Sequence, residues 1–454
     1  MKPKDNNERA RPTARSIGQR ALPAGLWLGA GFALTQAIRL GSSLILTRLL
    51  APDLYGLMTL GNVLVASLTL LSDVGLVQNI VQGRRADDPR FLNTVWTLGI
   101  VRGLVIGCLM LCVAAAFWAV GLAWPQALTG TYADPRLPAV FAVLALVPMI
   151  GGFESTNIAL AQRQIQMGRL VRNEVLAQMV STLIVIACAW HWPAVWVLPA
   201  GWVCLAAVKC LLSHWLPGPG NRPAWDRQAI REVWAFSKWI LLSSALGLAY
   251  REGDRLLLAG LIGPHELGAY GIGILLISAA QQIVSRLAGM VGMPALAEVT
   301  RERPERLRQA YHRCRLPLDL FCLGLGGLLF TGADAIIGVL YDARYASAGH
   351  TLSLLALGLV ALRYTVFDQY LVATGETRQL YKRMLSRVLV LYAGIPIGFW
   401  LGGLTGALLA ILLANFSALP VIFRMKHRRG LLDLAYEFKV LLVFPLAAGL
   451  GALL

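Results

Sequence analysis

Apolar residues run through this chain in long blocks, not in the short alternating runs of half-buried strands. Thirteen blocks stand out, near 22–49, 54–80, 92–120, 137–161, 171–191, 194–215, 235–262, 266–293, 314–332, 348–374, 384–401, 403–423 and 438–454. Most are about 20 to 28 residues long, and at about 1.5 Å per residue that matches a hydrocarbon layer of ~30 Å. A membrane β-barrel would instead show segments of about ten residues with period-two alternation. The pattern predicts an all-α integral membrane protein. The last block is the exception: Val440–Leu454 is only about 15 apolar residues, or ~22 Å of helix. It reads as a short added helix, spanning or interfacial, and it leaves the side of the C-terminus open.

Composition agrees and charge adds orientation. The chain has 57% hydrophobic and 14% charged residues with mean hydropathy +0.62, whereas a soluble domain is nearer one quarter charged. A net charge of +17 and a pI near 10.0 suit nucleic-acid binders. Their placement argues otherwise. Of 41 Lys and Arg, 32 fall in the N-terminal tail and the even-numbered loops. The odd-numbered loops hold only Arg48, Arg136 and Arg344, and six arginines lie inside blocks. Lys and Arg concentrate in cytoplasmic loops, so this split predicts a multi-pass plasma (inner) membrane protein with its N-terminus in the cytoplasm. It points to membrane lipids, not nucleic acid, as partners of the basic surface. Seven cysteines all lie in or beside apolar blocks without CxxC or Cys/His spacing, which argues against disulfides and structural zinc.

The blocks fall into two halves. We read 1–21 as a disordered basic cytoplasmic tail and 22–215 as a first lobe of six helices. Residues 216–234, with Pro217, Gly218, Pro219, Gly220 and Pro223, form a cytoplasmic linker. A second lobe, 235–425, carries helices 7–12, and 426–454 forms a basic loop with the additional C-terminal helix. At an offset of 212 positions, RLGSSLILTRLLAPDLYGLMTLG (39–61) aligns with REGDRLLLAGLIGPHELGAYGIG (251–273). Matches include Arg39/Arg251, Pro52/Pro264 and Gly56/Gly268. An even number of helices lies between the copies, so both run the same way through the bilayer. That predicts two parallel-repeat lobes about an axis along the membrane normal, around a central cavity.

Charges inside blocks mark the candidate site, because a charge at mid-bilayer costs about 2.5–3.5 kcal/mol unless it faces protein or water. Arg39, Arg102, Arg251, Arg255 and Arg363 sit near mid-depth or outward of it. Asp73, Glu154, Asp319 and Asp368 fall in the cytoplasmic half, while Asp254 accompanies the mid-depth arginines. The densest point is REGDR at 251–255, where Arg251/Asp254 and Glu252/Arg255 are three apart and can pair within a helix. Arginine suits phosphate because its planar fork donates two parallel hydrogen bonds and stays charged. The arginines are therefore candidate cations for an anionic headgroup and the acids candidate coupling or gating groups. Inter-helix ion pairing with a purely structural role is the alternative for every one of them.

With those residues in view, four stretches resemble the polysaccharide transport family of the multidrug/oligosaccharidyl-lipid/polysaccharide exporters. They are LILTRLLAPDLYGLMTL after helix 1, LIGPHELGAYGIG at 261–273, IIGVLYDARYASAGHTLSLLALG at 336–358 and LVATGETRQLY at 371–381. The resemblance implies a Wzx-type flippase that moves polyprenyl-pyrophosphate-linked oligosaccharides to the outer leaflet for surface polysaccharide synthesis. It implies that Arg39 and Arg251 meet the pyrophosphate or acidic sugars, and that a polymerase or glycosyltransferases act alongside. The family has 12 or 14 helices, against thirteen blocks here.

Other classes fit less well. An organic-cation antiporter should not set five arginines against two acids at mid-depth, whereas a flippase for peptidoglycan lipid precursor stays open. An enzyme would present an outer domain with a catalytic cluster. The outer loops 121–136 and 333–347 offer only Asp134, Asp334 and Asp342. No GxxxxGK[ST] loop is present to bind ATP. No cofactor is expected, and coupling would draw on an H⁺ or Na⁺ gradient or the membrane potential.

Overall fold

A computed structural model describes residues 14–72, 76–82, 85 and 88–453, and every regular element among them is helical. In chain order the first nine helices are α1 (Ala14–Leu49), α2 (Pro52–Leu71), α3 (Leu76–Gln82), α4 (Pro89–Ala123), α5 (Leu137–Leu144), α6 (Leu146–Gly151), α7 (Asn157–Arg163), α8 (Met167–His191) and α9 (Val197–His214). Then follow α10 (Arg227–Leu261), α11 (Pro264–Leu287), α12 (Met293–Glu302), α13 (Leu307–Leu340), α14 (Ser347–Ala356), α15 (Leu359–Leu362) and α16 (Thr365–Ala373). The last are α17 (Thr377–Phe416), α18 (Leu419–Arg428), α19 (Leu434–Leu441) and α20 (Val443–Gly451). Nine helical stretches among the described residues are long and apolar enough to cross a membrane. The expected count of twelve plus one is not fixed by this, since one stretch, Arg378–Arg428, holds 51 residues. It folds back at Gly402–Gly403, where Gly403 has φ +58°, a left-handed conformation that any side chain would strain. The two arms of that hairpin touch at Gly398 and Gly406, where a Cβ on either would collide with the other's carbonyl.

The chain divides into two compact units. The first comprises the segment ending at Ile45 with Ser72–Leu111 and Ala142–Leu241. In it α8 and α9 run together, Gly201 admitting the Val185 side chain and Ser181 Oγ donating to Gly201 O at 2.8 Å. Small residues at such contacts are how helices approach in lipid, where apolar burial alone drives little association. Leu76, Ile80, Phe91, Leu92, Val95, Ala159, Leu160 and Ala229 form its apolar core.

Of the expected linker 216–234, residues 216–226 are hydrogen-bonded to this unit and the rest begins α10. Asn157 Nδ2 donates to Leu216 O at 3.1 Å, and Ser155 Oγ donates to Asn221 Oδ1 at 2.6 Å. The amides of Arg222, Ala224 and Asp226 donate to Asn93 Oδ1, Thr97 Oγ1 and Thr94 Oγ1 at 3.0–3.2 Å. Arg85 Nη2 then bridges Asp88 at 2.7 Å and Asp226 at 3.0 Å. The Arg85 hydrogen bond leads in holding the Asp88 carboxyl below its ordinary range. For Asp226 the Gln228 amide leads, with Arg85 next.

The second unit comprises Leu46–Leu71, Cys112–Phe141 and Leu242–Leu454. Here α2 packs along α11, so the two copies of the repeated motif touch. A Cβ on Gly56 would overlap the Pro264 carbonyl, and one on Gly268 would overlap the Pro52 carbonyl. This reciprocal contact is what a local two-fold axis between repeats produces. The final helices also belong here. Asp433 caps α19 by accepting from the Tyr436 amide at 3.0 Å, so the apolar stretch begins at Leu434 and reaches Gly451, 18 residues. It lies against α13, where Gly327 meets the Phe444 carbonyl and Gly451 the Thr331 hydroxyl. The short last block is thus a packed helix, started upstream of its apolar run by a cap.

Candidate functional site

Within the second unit a charged seam lies on α10, α11 and α17. Arg255 pairs with Glu252 one turn earlier on α10. Asp254 Oδ2 accepts a hydrogen bond from the fully buried Tyr270 hydroxyl of α11 at 2.5 Å. Gly253 faces the Tyr392 ring of α17, which a larger residue there would have to displace. On α17, Arg387 stacks over the Tyr250 ring at 4.2 Å, and Arg383 one turn before it pairs with Asp368 of α16. Arg255, Asp254 and Asp368 are therefore each held by a neighbour. Arg251 is different: it is exposed, and no hydrogen-bond or ion-pair partner faces it among the described residues.

In the first unit Arg39 has the same character, exposed and without such a partner among the described residues. Each of these arginines lies ten residues before its helix ends, at Leu49 and Leu261, or about 15 Å of helix. That is mid-depth in a ~30 Å bilayer. An arginine at that depth is strongly unfavourable against lipid and is tolerated facing protein or water. Arg102 is half-buried and its Nε donates to Ser72 Oγ at 3.3 Å. Glu154 lies half-buried in the turn between α6 and α7, and the nearby Glu174 pairs with Lys209 at 2.8 Å. Asp73 lies outside the described residues.

Arg363 and Asp319 join a second group, buried inside the second unit. Glu437 of α19 accepts from both terminal nitrogens of Arg315 on α13 (2.7 Å for Nη2) and from the fully buried Lys426 of α18. Arg363 Nη2 stands 3.0 Å from the same carboxylate, and the Tyr364 hydroxyl donates to it at 3.0 Å. Arg315 Nε also donates to Asp319 at 3.1 Å, and Tyr436 OH donates to the other Asp319 oxygen at 2.9 Å. Tyr364 lies under Arg315 and Arg363 at 4.7 and 4.9 Å, where the negative face of its ring attracts both guanidiniums. Three cations and two carboxylates thus sit out of water, an arrangement that ties α13, the turn between α15 and α16, α18 and α19 together.

Reading the sequence missed Arg315, Arg383, Arg387, Lys426 and Glu437 as interior groups, because each sits in a loop or at a block edge. The signal was present in part: Arg315/Asp319 and Arg383/Arg387 are four apart, so each pair lies on one helix face. Among the described residues no cluster of three potential metal ligands occurs.

Comparison with known proteins bears on this arrangement. A family model described as polysaccharide biosynthesis protein matches residues 45–350. The lipopolysaccharide biosynthesis protein WzxC of Escherichia coli K12 is 20% identical over 435 residues, covering 93% of this chain and 86% of that protein. Among solved structures, the lipid II flippase MurJ in an inward closed conformation superposes with a TM-score of 0.71 at 9% identity, covering 94% of this chain and 98% of MurJ. An inward-facing multidrug resistance MATE family transporter of the MOP superfamily gives 0.61 at 14% identity, over 87% and 94% of the two chains. The all-α membrane fold is shared with these two solved structures, one a flippase and the other a transporter.

Proposed function

We propose, from the premise that this chain belongs to the polysaccharide biosynthesis protein family, that it is a flippase for lipid-linked oligosaccharide. Its cargo is a polyprenyl-pyrophosphate-linked repeat unit, moved from the inner to the outer leaflet for O-antigen, capsule or exopolysaccharide synthesis. It works in the plasma (inner) membrane with the N-terminus in the cytoplasm, as the skewed distribution of basic residues supports. The observation that carries the reading is the pair Arg39 and Arg251, exposed at mid-depth and without ion-pair partners among the described residues. A guanidinium so placed offers two parallel donors to a pyrophosphate oxygen pair, and water around it receives the polar glycan.

Arg255 and Arg102 flank this function and Arg363 supports it from within the lobe. Asp254, held by the Tyr270 hydroxyl and the Arg255 amide, and Asp368, paired with Arg383, are the best placed for coupling to an H⁺ or Na⁺ gradient. Glu154 and Asp319 serve as gating or structural acids. Lobe rocking between two open states carries the cargo across. A polymerase or glycosyltransferases take or supply the repeat unit. The likeness to the lipid II flippase favours a second reading, in which the cargo is a peptidoglycan lipid precursor. A strain lacking the gene decides between them: lipid-linked repeat units should accumulate on the inner leaflet, read by mass spectrometry of extracted lipids. Normal outer-leaflet glycan in that strain would reject the proposal, and accumulation of the peptidoglycan precursor would favour the second reading.

A further inference from the structure

The last carbonyls of a helix have no partner within it and must find one elsewhere. At the ends of α1 and α10, the two repeated helices, side chains from the opposite half of the chain supply it. Arg344 Nη2 donates to Thr47 O and Arg48 O at 3.3 and 3.0 Å, and the buried Tyr345 hydroxyl donates to Leu50 O at 3.0 Å. At the end of α10, Thr129 Oγ1 donates to Gly260 O at 2.7 Å and the buried Thr131 Oγ1 to Ile262 O at 2.9 Å. Tyr132 OH adds a bond to Leu256 O at 3.0 Å. The accepting carbonyls 48 and 260, and likewise 50 and 262, are 212 positions apart, the offset of the sequence repeat.

The capping is crossed. The segment 129–132, from the first half of the chain, caps the helix of the second half, and 344–345 does the converse. Beside it, the α1–α2 and α10–α11 turns interlock through Gly56 against Pro264 and Gly268 against Pro52. Tyr55 adds an edge-on contact to Tyr345, with ring centroids 5.9 Å apart. Every segment involved is an odd-numbered loop or its edge, the side the basic residues avoid.

We infer that these crossed caps and glycine seams form a two-fold latch that closes the outer face and must open in each transport cycle. The inference rests on the proposed alternating access but not on the cargo. Hydroxyl and guanidinium donors fit this duty: water can replace them when the helices part, whereas an apolar seal would leave the carbonyls without partners. Two glycines set how closely the turns approach, so side chains there hold the latch apart.

The test uses a thiol reporter behind the seam. Thr59, half-buried on α2 one turn below Gly56, lies beside Gly271 of α11. Full-length protein carrying Thr59→Cys is labelled in spheroplasts with a membrane-impermeant maleimide, against the same protein without the reporter. Combining Thr131→Val with Tyr345→Phe removes one buried cap from each half. The labelling rate should rise roughly tenfold at unchanged abundance, the shift expected from two net hydrogen bonds. Gly56→Val should raise it further. An unchanged rate in the Thr131/Tyr345 variant overturns the latch whatever happens to Gly56→Val, and labelling seen only in inside-out vesicles overturns its placement. Labelling needs no cargo, so a failed glycan assay would reject the proposed substrate and leave this result standing.

Discussion

Glu437→Gln is the sharpest test of how the second unit is held. Glu437 is 6% exposed, and it meets Arg315, Arg363 and Lys426 together. Replacing it by the isosteric amide leaves three buried cations facing Asp319 alone. Breaking a buried pair from one side costs about 3–5 kcal/mol, because the remaining charge keeps its desolvation penalty without compensation. Against a typical stability of about 5–15 kcal/mol, that is about a fifth of the total or more. The expected result is a clear drop in the temperature at which detergent-solubilised protein loses its monodisperse size-exclusion peak, and reduced membrane abundance. Adding Lys426→Met restores the wild-type excess of one cation and should recover part of the loss. Neighbouring sites couple by about 0.5–3 kcal/mol, so the double variant must exceed the additive expectation. If Glu437→Gln melts as wild type does, or Lys426→Met gives no recovery, the network does not hold these helices together.

Further outcomes are expected elsewhere. Arg251→Ala and Arg39→Ala should each lower export about 10- to 100-fold at normal membrane abundance, the value of a charge-assisted hydrogen bond of about 1.5–3 kcal/mol. Abundance falling in step with export would show that they hold the fold. In proteoliposomes, Asp368→Asn or Asp254→Asn should weaken the response of flipping to an imposed ion gradient, and an unchanged response in both removes these acids from coupling. The linker should loosen in acid: Asp88 and Asp226 have lowered folded pKa values, so their contribution is present above the ordinary carboxylate range and is lost as pH falls below it. Limited proteolysis at residues 216–226 should therefore accelerate below about pH 4, and Arg85→Ala should make cleavage at pH 7 as fast as the wild type in acid. An acid-insensitive cleavage rate would show that the hydroxyl and amide staples alone hold the segment.

Several features were legible along the chain. The blocks announce membrane helices because desolvating a backbone in lipid leaves helices as the available answer, and about 20 residues suffice to read each one. The 212-residue offset was visible because Arg39/Arg251, Pro52/Pro264 and Gly56/Gly268 occupy turns and interior positions where substitution is costly. REGDR stood out because four charges inside an apolar block need an explanation.

What the tertiary structure alone decided is which charge answers which. Arg363 belongs with Glu437, 74 positions later, and Arg315 with the same carboxylate 122 positions on. Neither partner is visible in a local window, since hydropathy reports depth while ion pairing depends on which helices become neighbours. The same holds for the linker, whose Pro and Gly suggest looseness until the Asn93, Thr94 and Thr97 side chains are found beneath its amides. It holds most fully for the crossed caps. The sequence determined that two like helices would end near residues 49 and 262, but the donors that satisfy their last carbonyls come from distant loops, and only folding brings those together.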